Sequence, residues 1–267
     1  MAIDKEYWKK LSLSERNLPE IVCPTCCKGH LHYKKDHLVK KETKVSEADR
    51  RNDDWEPFWI RYNFSALLKC NNLKCGEAVT CLGDGRVEED MLYDEVKDYW
   101  ESIYYDIFYP VYFYSSLHII SISESYHKEL ADKLIDSFSH FFSDLTSCAN
   151  KIRGCIEILM DKLNINKTKI VSGKRKDLTL HARILLYKTQ NPAVADYLLA
   201  IKWIGNFGSH LEDLTKDDIL DAYQILDFSL RKIYDKETKE IIKLSKEINK
   251  RKAPRSTKKQ KNDDLTF

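Results

Sequence analysis

Three polar side chains recur at every fourth residue in the C-terminal half of the chain: Lys202, Asn206 and His210. Because an α-helix has 3.6 residues per turn, each four-residue step drifts by only about 40°, so the three side chains share one face. A cation, an amide and an imidazole on one face are suited to anion binding and proton transfer. The spacing therefore predicts a candidate ligand-binding or catalytic face.

Apolar residues follow the same spacing beside this face. Trp203, Phe207 and Leu211 are each one residue further along, which is typical of the buried stripe of an amphipathic helix. Gly205 and Gly208 remove side chains at points where a neighbouring helix or a ligand could come close. We therefore expect a helix that packs through Trp203 and its neighbours and presents the polar residues beside them.

Four of the eight cysteines form two pairs with metal-ligand spacing. Cys23 and Cys26 lie in a Cys-Pro-x-Cys turn followed by glycine, and Cys70 and Cys75 form a second, longer turn that is also followed by glycine. Two such turns can complete a tetrahedron around one Zn²⁺ ion. A four-cysteine site of this kind holds a fold together and leaves no open position for catalysis, so the predicted cofactor is structural zinc.

Other residues near the two pairs offer alternative ligands. Cys27 is adjacent to Cys26 and could replace it. The weaker candidates are His30, His32, His37 and Cys81. The remaining alternative is a set of ordinary buried or free thiols. Disulfides are not expected, because the N-terminus has no apolar signal-peptide core and a cytoplasmic location is predicted.

Composition narrows the function further. The chain has 267 residues with Lys+Arg 44 against Asp+Glu 42, so its net charge of +2 gives no overall attraction to a polyanion. Local charge is uneven, because a Lys/Arg-rich tail follows residue 250. No apolar run approaches the roughly 20 residues that span a membrane, and no membrane partner is expected. The chain also lacks a P-loop, a dinucleotide glycine pattern and a nucleophile elbow, which argues against a cofactor-dependent enzyme.

Hydrophobic periodicity predicts a mainly α protein with a small β zinc ribbon. The expected regions are an N-terminal helix and turn (1–20), a zinc ribbon with a charged insert (21–90), an aromatic strand or linker (91–125), an antiparallel helical bundle (126–250) and a basic disordered tail (251–267). Leu82-Gly-Asp-Gly85 predicts a hairpin turn that closes the ribbon. The segment 171–177 is expected to be a basic loop between helices, and Thr215 to Asp218 a helix-capping box.

The aromatic stretch 93–122 favours extended structure, as an edge strand, because it is rich in aromatic and β-branched residues and contains Pro110. Such a stripe can stack nucleic-acid bases, but it more often packs between two modules.

Three features together resemble the prokaryotic domain-of-unknown-function family 4145. They are the Cys-Pro-x-Cys ribbon, the segment Arg153-Gly-Cys-Ile-Glu157, and the run Ile-Lys-Trp-Ile-Gly-Asn-Phe-Gly-Ser-His that ends at His210. The helical part of the resemblance covers about residues 126–235. It implies a divergent HEPN-like helical domain (higher eukaryote and prokaryote nucleotide-binding) that acts as an accessory or effector part of restriction or anti-phage defence.

The resemblance also implies roles for single residues. Active HEPN ribonucleases carry an arginine, a polar residue and a histidine on one helix, act as dimers and need no metal. Asn206 and His210 match the Asn-x-x-x-His part of that pattern, whereas Gly205 stands at the position of the nuclease arginine. The upstream arginine of family 4145 is here Lys202, which lacks the guanidinium fork suited to phosphate.

Arg153 could supply the missing guanidinium if its helix packs against the helix of Asn206 and His210. The catalytic candidates are therefore His210, Asn206, Arg153 and Lys202. The alternative is that these residues form a buried polar network with Glu157 that sets the register of the helices.

These observations predict a defence-associated module that binds a partner protein, a nucleotide or a nucleic acid without catalysis. One alternative is a metal-independent RNase dimer with His210 as general acid/base. Another is a nucleic-acid-binding accessory subunit that uses the ribbon and the basic tail. The expected partners are a second copy through the helical bundle, the other subunits of a defence complex, or RNA or DNA.

Overall fold

The computed structural model describes residues 3–14, 16, 19–95, 98–207, 214–234 and 236–251. About 44% of the structure is helical and 27% is strand, and a large curled antiparallel sheet occupies residues 13–114. The prediction of a mainly α protein with a small ribbon is therefore wrong. A helical bundle follows the sheet, as expected.

Within the described residues the sheet has seven antiparallel strands in the order β1-β7-β6-β5-β3-β2, and β4 pairs with β5 beside β3. The strands are β1 (Leu13–Ser14), β2 (Ile21–Val22), β3 (His30–His32), β4 (Leu38–Glu42), β5 (Arg61–Cys70), β6 (Ala78–Asp94) and β7 (Tyr99–Tyr114). The ribbon boundary expected at residue 90 falls inside β6. The aromatic stretch is extended, as predicted, but it belongs to this sheet: β7 pairs with β6 along its length and with β1 over two residues.

One face of the sheet is buried and the other is exposed. On β5 the side chains of Phe64, Ala66, Leu68 and Cys70 point inward, and the residues between them are exposed or half-buried. This two-residue alternation is the pattern of an antiparallel sheet with one solvated face. The alternation continues on β6, where Val79 is buried. Charged side chains on the outer face of the sheet are solvated there and are compatible with strand formation.

The hairpin turn predicted at Leu82-Gly-Asp-Gly85 is wrong, because these residues lie inside β6. The register of β6 and β7 shifts there: Leu82 lies opposite Tyr112 and Gly83 lies opposite Pro110. Val111 is therefore an extra residue on β7, which is the definition of a β-bulge. The glycine serves a close contact between two strands rather than a turn.

Five helices form the core of the second part: α3 (Lys128–Ser139), α4 (Leu145–Lys162), α5 (Leu180–Lys188), α6 (Pro192–Phe207) and α7 (Lys216–Tyr234). The short α1 (Lys5–Lys9) precedes β1, the short α2 (Lys44–Asp49) lies between β4 and β5, and α8 (Lys236–Arg251) follows α7. The helix expected within residues 1–20 spans only Lys5–Lys9, and Leu13 and Ser14 pair with β7 instead. The described α-helices include none that is both long and apolar enough to cross a membrane.

Side-chain caps lie at the starts of α6 and α7, and the capping box predicted at Thr215 to Asp218 is confirmed. The Asn191 side chain accepts a hydrogen bond from the Val194 backbone N–H at 3.2 Å. Thr215 and Asp218 form a reciprocal capping box, since each side chain accepts from the backbone N–H of the other residue. The basic loop predicted at 171–177 is instead a hairpin of β8 (Thr168–Val171) and β9 (Lys174–Asp177). Ser172 and Gly173 have positive φ, which a tight two-residue hairpin turn requires.

The two parts meet through aromatic side chains and α1. The ring of Trp8 lies against Phe141 and Phe142, and Phe113 of β7 lies 5.2 Å from Phe142. Lys9 of α1 forms an ion pair with Asp217 of α7 at 3.2 Å. The sheet and the bundle are therefore packed against each other rather than tethered by a free linker.

Candidate functional site

Four cysteine side chains converge at one end of the sheet. The Sγ atoms of Cys23, Cys26, Cys70 and Cys75 all lie within 4.8 Å of one another. The Cys23–Cys75 and Cys26–Cys70 sulfur distances are 3.9 and 3.7 Å. These are far longer than a disulfide bond of about 2.05 Å, and all four cysteines are free thiols. The predicted four-cysteine cluster is confirmed as a group that could hold a metal ion.

Strand pairing brings the two cysteine turns together. The first turn connects β2 with β3, and the second connects β5 with β6. Because β3 pairs with β5, and Leu31 lies directly opposite Cys70, the two turns lie next to each other at the same end of the sheet. The backbone N–H groups of Gly29 and Asn72 donate to the sulfurs of Cys26 and Cys70, each at 3.4 Å. Each turn therefore aims an amide at its own sulfur.

The second cysteine turn lies so close to the first that only glycine fits at position 29. A Cβ atom on Gly29 would lie 2.6 Å from the Cys70 Sγ atom and 2.8 Å from the Asn72 Cβ atom. Any other residue would push the two turns apart. The glycine that follows the Cys-Pro-x-Cys pair is thus part of the site.

The electrostatics of the cluster suit a cation. Hydrogen bonds from the backbone N–H groups of Gly29 and Lys28 lower the pKa of Cys26 to about 6. Burial raises the pKa of Cys70 to about 12. Neighbouring thiolates repel one another, so all four sulfurs can ionise together only if a positive charge compensates them. A bound metal ion would supply that charge.

The alternative ligands lie outside the cluster. The Cys27 side chain is exposed, and its thiol lies 3.7 Å from the Pro24 carbonyl oxygen. Cys81 is buried in the sheet core. Among the described residues, the metal-competent group contains Cys26 and none of the three histidines considered, His30, His32 and His37. The open choice between Cys26 and Cys27 is therefore resolved in favour of Cys26.

The polar face predicted on α6 is arranged differently from expectation. Lys202 is buried, and its Nζ atom lies 3.6 Å from the centre of the Trp203 ring. Trp203 is 54% exposed, so the prediction that it belongs to the buried stripe is wrong. The core-facing residues of α6 are Val194, Ala195, Leu198 and Ile201. This second stripe, at spacings of three and four, faces the core in place of the stripe through Trp203.

Arg153 lies beside the position where the nuclease arginine is missing. Helix α4 packs against α6. A Cβ atom on Gly205 would lie 3.5 Å from both the Arg153 Cβ atom and the Ala149 carbonyl oxygen. The Nε atom of Arg153 is 3.6 Å from the Glu157 carboxylate. Asn206 is half-buried, whereas His210 and Leu211 lie outside the described residues, as does the basic tail beyond residue 251.

Two surface features were missed in the sequence. One is a cleft of about 590 Å³ on the sheet, next to the ion pair of Lys40 and Asp106. No local sequence signal indicates it, because its walls come from distant strands. The other is the basic hairpin of β8 and β9, for which Ser172-Gly173 between a segment with three β-branched residues and a charged segment was the available signal.

An antiparallel sheet organised at one end by four cysteines and packed on a helical bundle defines a two-part protein with a candidate metal centre. The sheet region, residues 11–113, matches the model of a Domain of unknown function (DUF8608). Residues 136–251 match the model of a Domain of unknown function (DUF4145). The resemblance to family 4145 is thus confirmed for the helical part, while the sheet matches a separate family. No curated protein and no solved structure matches the chain.

Proposed function

We propose that this protein is a zinc-stabilised module of prokaryotic defence that binds its partners without catalysis. The four-sulfur cluster carries the proposal. A tetrahedral Zn²⁺ ion with Zn–S bonds of about 2.3 Å separates its sulfurs by about 3.8 Å. The observed distances of 3.7 and 3.9 Å agree with this value. Closed sites of four thiolates stabilise folds and leave no position for a reacting water.

The arrangement on the helical domain supports binding rather than cleavage. Lys202 is buried as a residue, and its ammonium group lies 3.6 Å from the centre of the Trp203 ring. The Arg153 side chain faces Glu157 of its own helix. A ribonuclease needs a cation that is free to approach a phosphate as charge develops. Because Lys202 lies over Trp203 and Arg153 lies beside Glu157, these residues favour a role in holding α4 and α6 in register.

The defence role, the HEPN-like character of the bundle and the cytoplasmic location rest on the resemblance to family 4145. In this proposal the helical bundle forms a homodimer or docks on other subunits of a defence complex. The ligand is a partner protein, a nucleotide or a nucleic acid.

Purified protein should leave tRNA and single-stranded RNA intact during incubation with EDTA. The physical reason is that Gly205 removes the nuclease arginine, so no guanidinium on α6 stabilises the phosphate. Gel analysis of end-labelled RNA checks this, with the His210→Ala variant as the background and zinc content measured before and after. Cleavage by the wild type that His210→Ala abolishes would contradict the proposal.

One observation favours the RNase alternative. Arg153 extends from α4 next to Gly205, so it occupies space beside the vacant arginine position. In this second candidate, His210 moves the 2′-OH proton and Arg153 stabilises the phosphate in a dimer. Any His210-dependent cleavage should then be lost in Arg153→Gln. It should be kept in Lys133→Gln, the control, since Lys133 is a neighbouring cation that lines the same surface groove as Arg153.

A further inference from the structure

The hairpin of β8 and β9 is a strongly basic ribbon on the surface of the helical domain. Residues 167–177 contain five Lys/Arg residues and one Asp, in a chain whose net charge is only +2. All four residues of β9 are exposed. Ile170 on β8 is 79% exposed. The ribbon is thus open to a partner rather than packed into the core.

The strand register places like charges opposite each other. Lys169 lies directly across from Lys176, and Lys174 follows on the same face of β9. Like charges in directly opposed positions destabilise a two-stranded sheet. Among the ion pairs formed by the described residues, none involves Lys169, Lys174 or Lys176. Repulsion between Lys169 and Lys176 therefore opposes hairpin formation in the free protein, and a bound anion would relieve it.

The base of the ribbon is fixed to the bundle. The Leu178 N–H donates to the Lys167 carbonyl oxygen at 2.7 Å and closes the hairpin. Asp161 of α4 accepts from Lys167 and from Arg183 of α5. The Arg183 side chain is only 8% exposed and also donates to the Ile165 carbonyl oxygen. The ribbon is therefore held at a defined position between α4 and α5.

We propose that this ribbon binds duplex DNA, with Lys169, Lys174, Arg175 and Lys176 contacting phosphates. A DNA major groove about 12 Å wide admits a two-stranded ribbon. The major groove of duplex RNA is deep and narrow and does not admit side chains in this way, so DNA is favoured. The inference rests on the proposed binding function and names its ligand.

The test uses the full-length protein and a fluorescent DNA duplex, with anisotropy measured between 50 and 300 mM salt. The hairpin variant is Lys169→Gln, Lys174→Gln, Arg175→Gln and Lys176→Gln. Losing four phosphate contacts should weaken binding at 0.1 M salt on the order of 10²- to 10³-fold and reduce the slope of log K against log salt by about 3 to 4. Arg175→Gln alone should reduce the slope by about 1.

A variant of α8 removes the same charge elsewhere: Lys243→Gln, Lys246→Gln, Lys250→Gln and Arg251→Gln. It should bind DNA with nearly the wild-type slope. Equal losses in both variants, wild-type binding by the hairpin variant, or hairpin-dependent binding to phosphatidylserine vesicles without DNA binding would each overturn the proposal. Because all substituted residues are exposed, an unchanged thermal transition excludes unfolding. The RNA-cleavage assay is separate, so failure of the proposed function is distinguished from failure of the DNA site.

Discussion

Replacement of Cys70 by serine should abolish metal binding and unfold the antiparallel sheet. Cys70 lies at the end of β5, and its sulfur is 3.7 Å from that of Cys26. A hydroxyl is a poor substitute for a thiolate, so three ligands would remain around the zinc ion. Structural zinc contributes an apparent 10–16 kcal/mol, roughly, to small zinc domains. This is on the order of the whole stability of a domain, about 5–15 kcal/mol.

Zinc measured per chain by mass spectrometry should fall from one to near zero in Cys70→Ser. Hydrogen exchange should rise across 61–94, where β5 and β6 pair, and remain low in α3 to α7, which have their own core. Cys27→Ser is the matched control, because Cys27 is also a cysteine of the first turn but lies exposed outside the cluster. It should keep one zinc ion and the wild-type stability. Full zinc retention in Cys70→Ser would exclude the four-sulfur site.

The sequence predicted the metal ligands because their signal is local. A Cys-Pro-x-Cys turn with a following glycine specifies its own backbone geometry. The four-sulfur cluster then forms when strand pairing brings the two turns together. The helix starts at Asn191 and Thr215 were predictable for the same reason, since a cap is completed within three residues.

The extent of the sheet could not be predicted in this way. Strand β5 pairs with β6 nearby, but also with β3 and β4, across an insert that carries many charges. The charges indicated only an insert between the cysteine pairs, because nothing in them shows that part of it forms β4 and pairs with β5. The buried alternation of β5 becomes evident only once the register is known.

The orientation of α6 is a second feature that the sequence could not predict. This helix is apolar on more than one side, so the stripe through Trp203 and the stripe through Leu198 and Ile201 both have helical spacing. Periodicity alone gives no reason to prefer one. The packing of α4 against Gly205 selects the second stripe, and that contact joins residues about fifty positions apart.

Gly83, which was expected in a hairpin turn but lies at the β-bulge, gives the second large prediction. Gly83→Ala should destabilise the sheet by about 3 kcal/mol or more, because the new methyl group has no space. A Cβ atom at this position would overlap the Tyr109 carbonyl oxygen and lie 2.8 Å from the Val111 nitrogen. Both are backbone atoms of β7, so relief requires moving a strand rather than a side chain. The bulge and its pairing with β6 would have to open.

Urea unfolding, with hydrogen exchange followed over 78–114, measures this effect. Gly173→Ala is the matched control, since the same methyl group enters open space at a residue with φ of +74°. That change should cost only about 1–2 kcal/mol, from left-handed backbone strain alone. Faster exchange in β6 and β7 should appear in Gly83→Ala and be absent in Gly173→Ala. Equal and small effects of the two substitutions would mean that β7 does not approach Gly83 closely. The hairpin turn predicted from the sequence would then be the better description of residues 82–85.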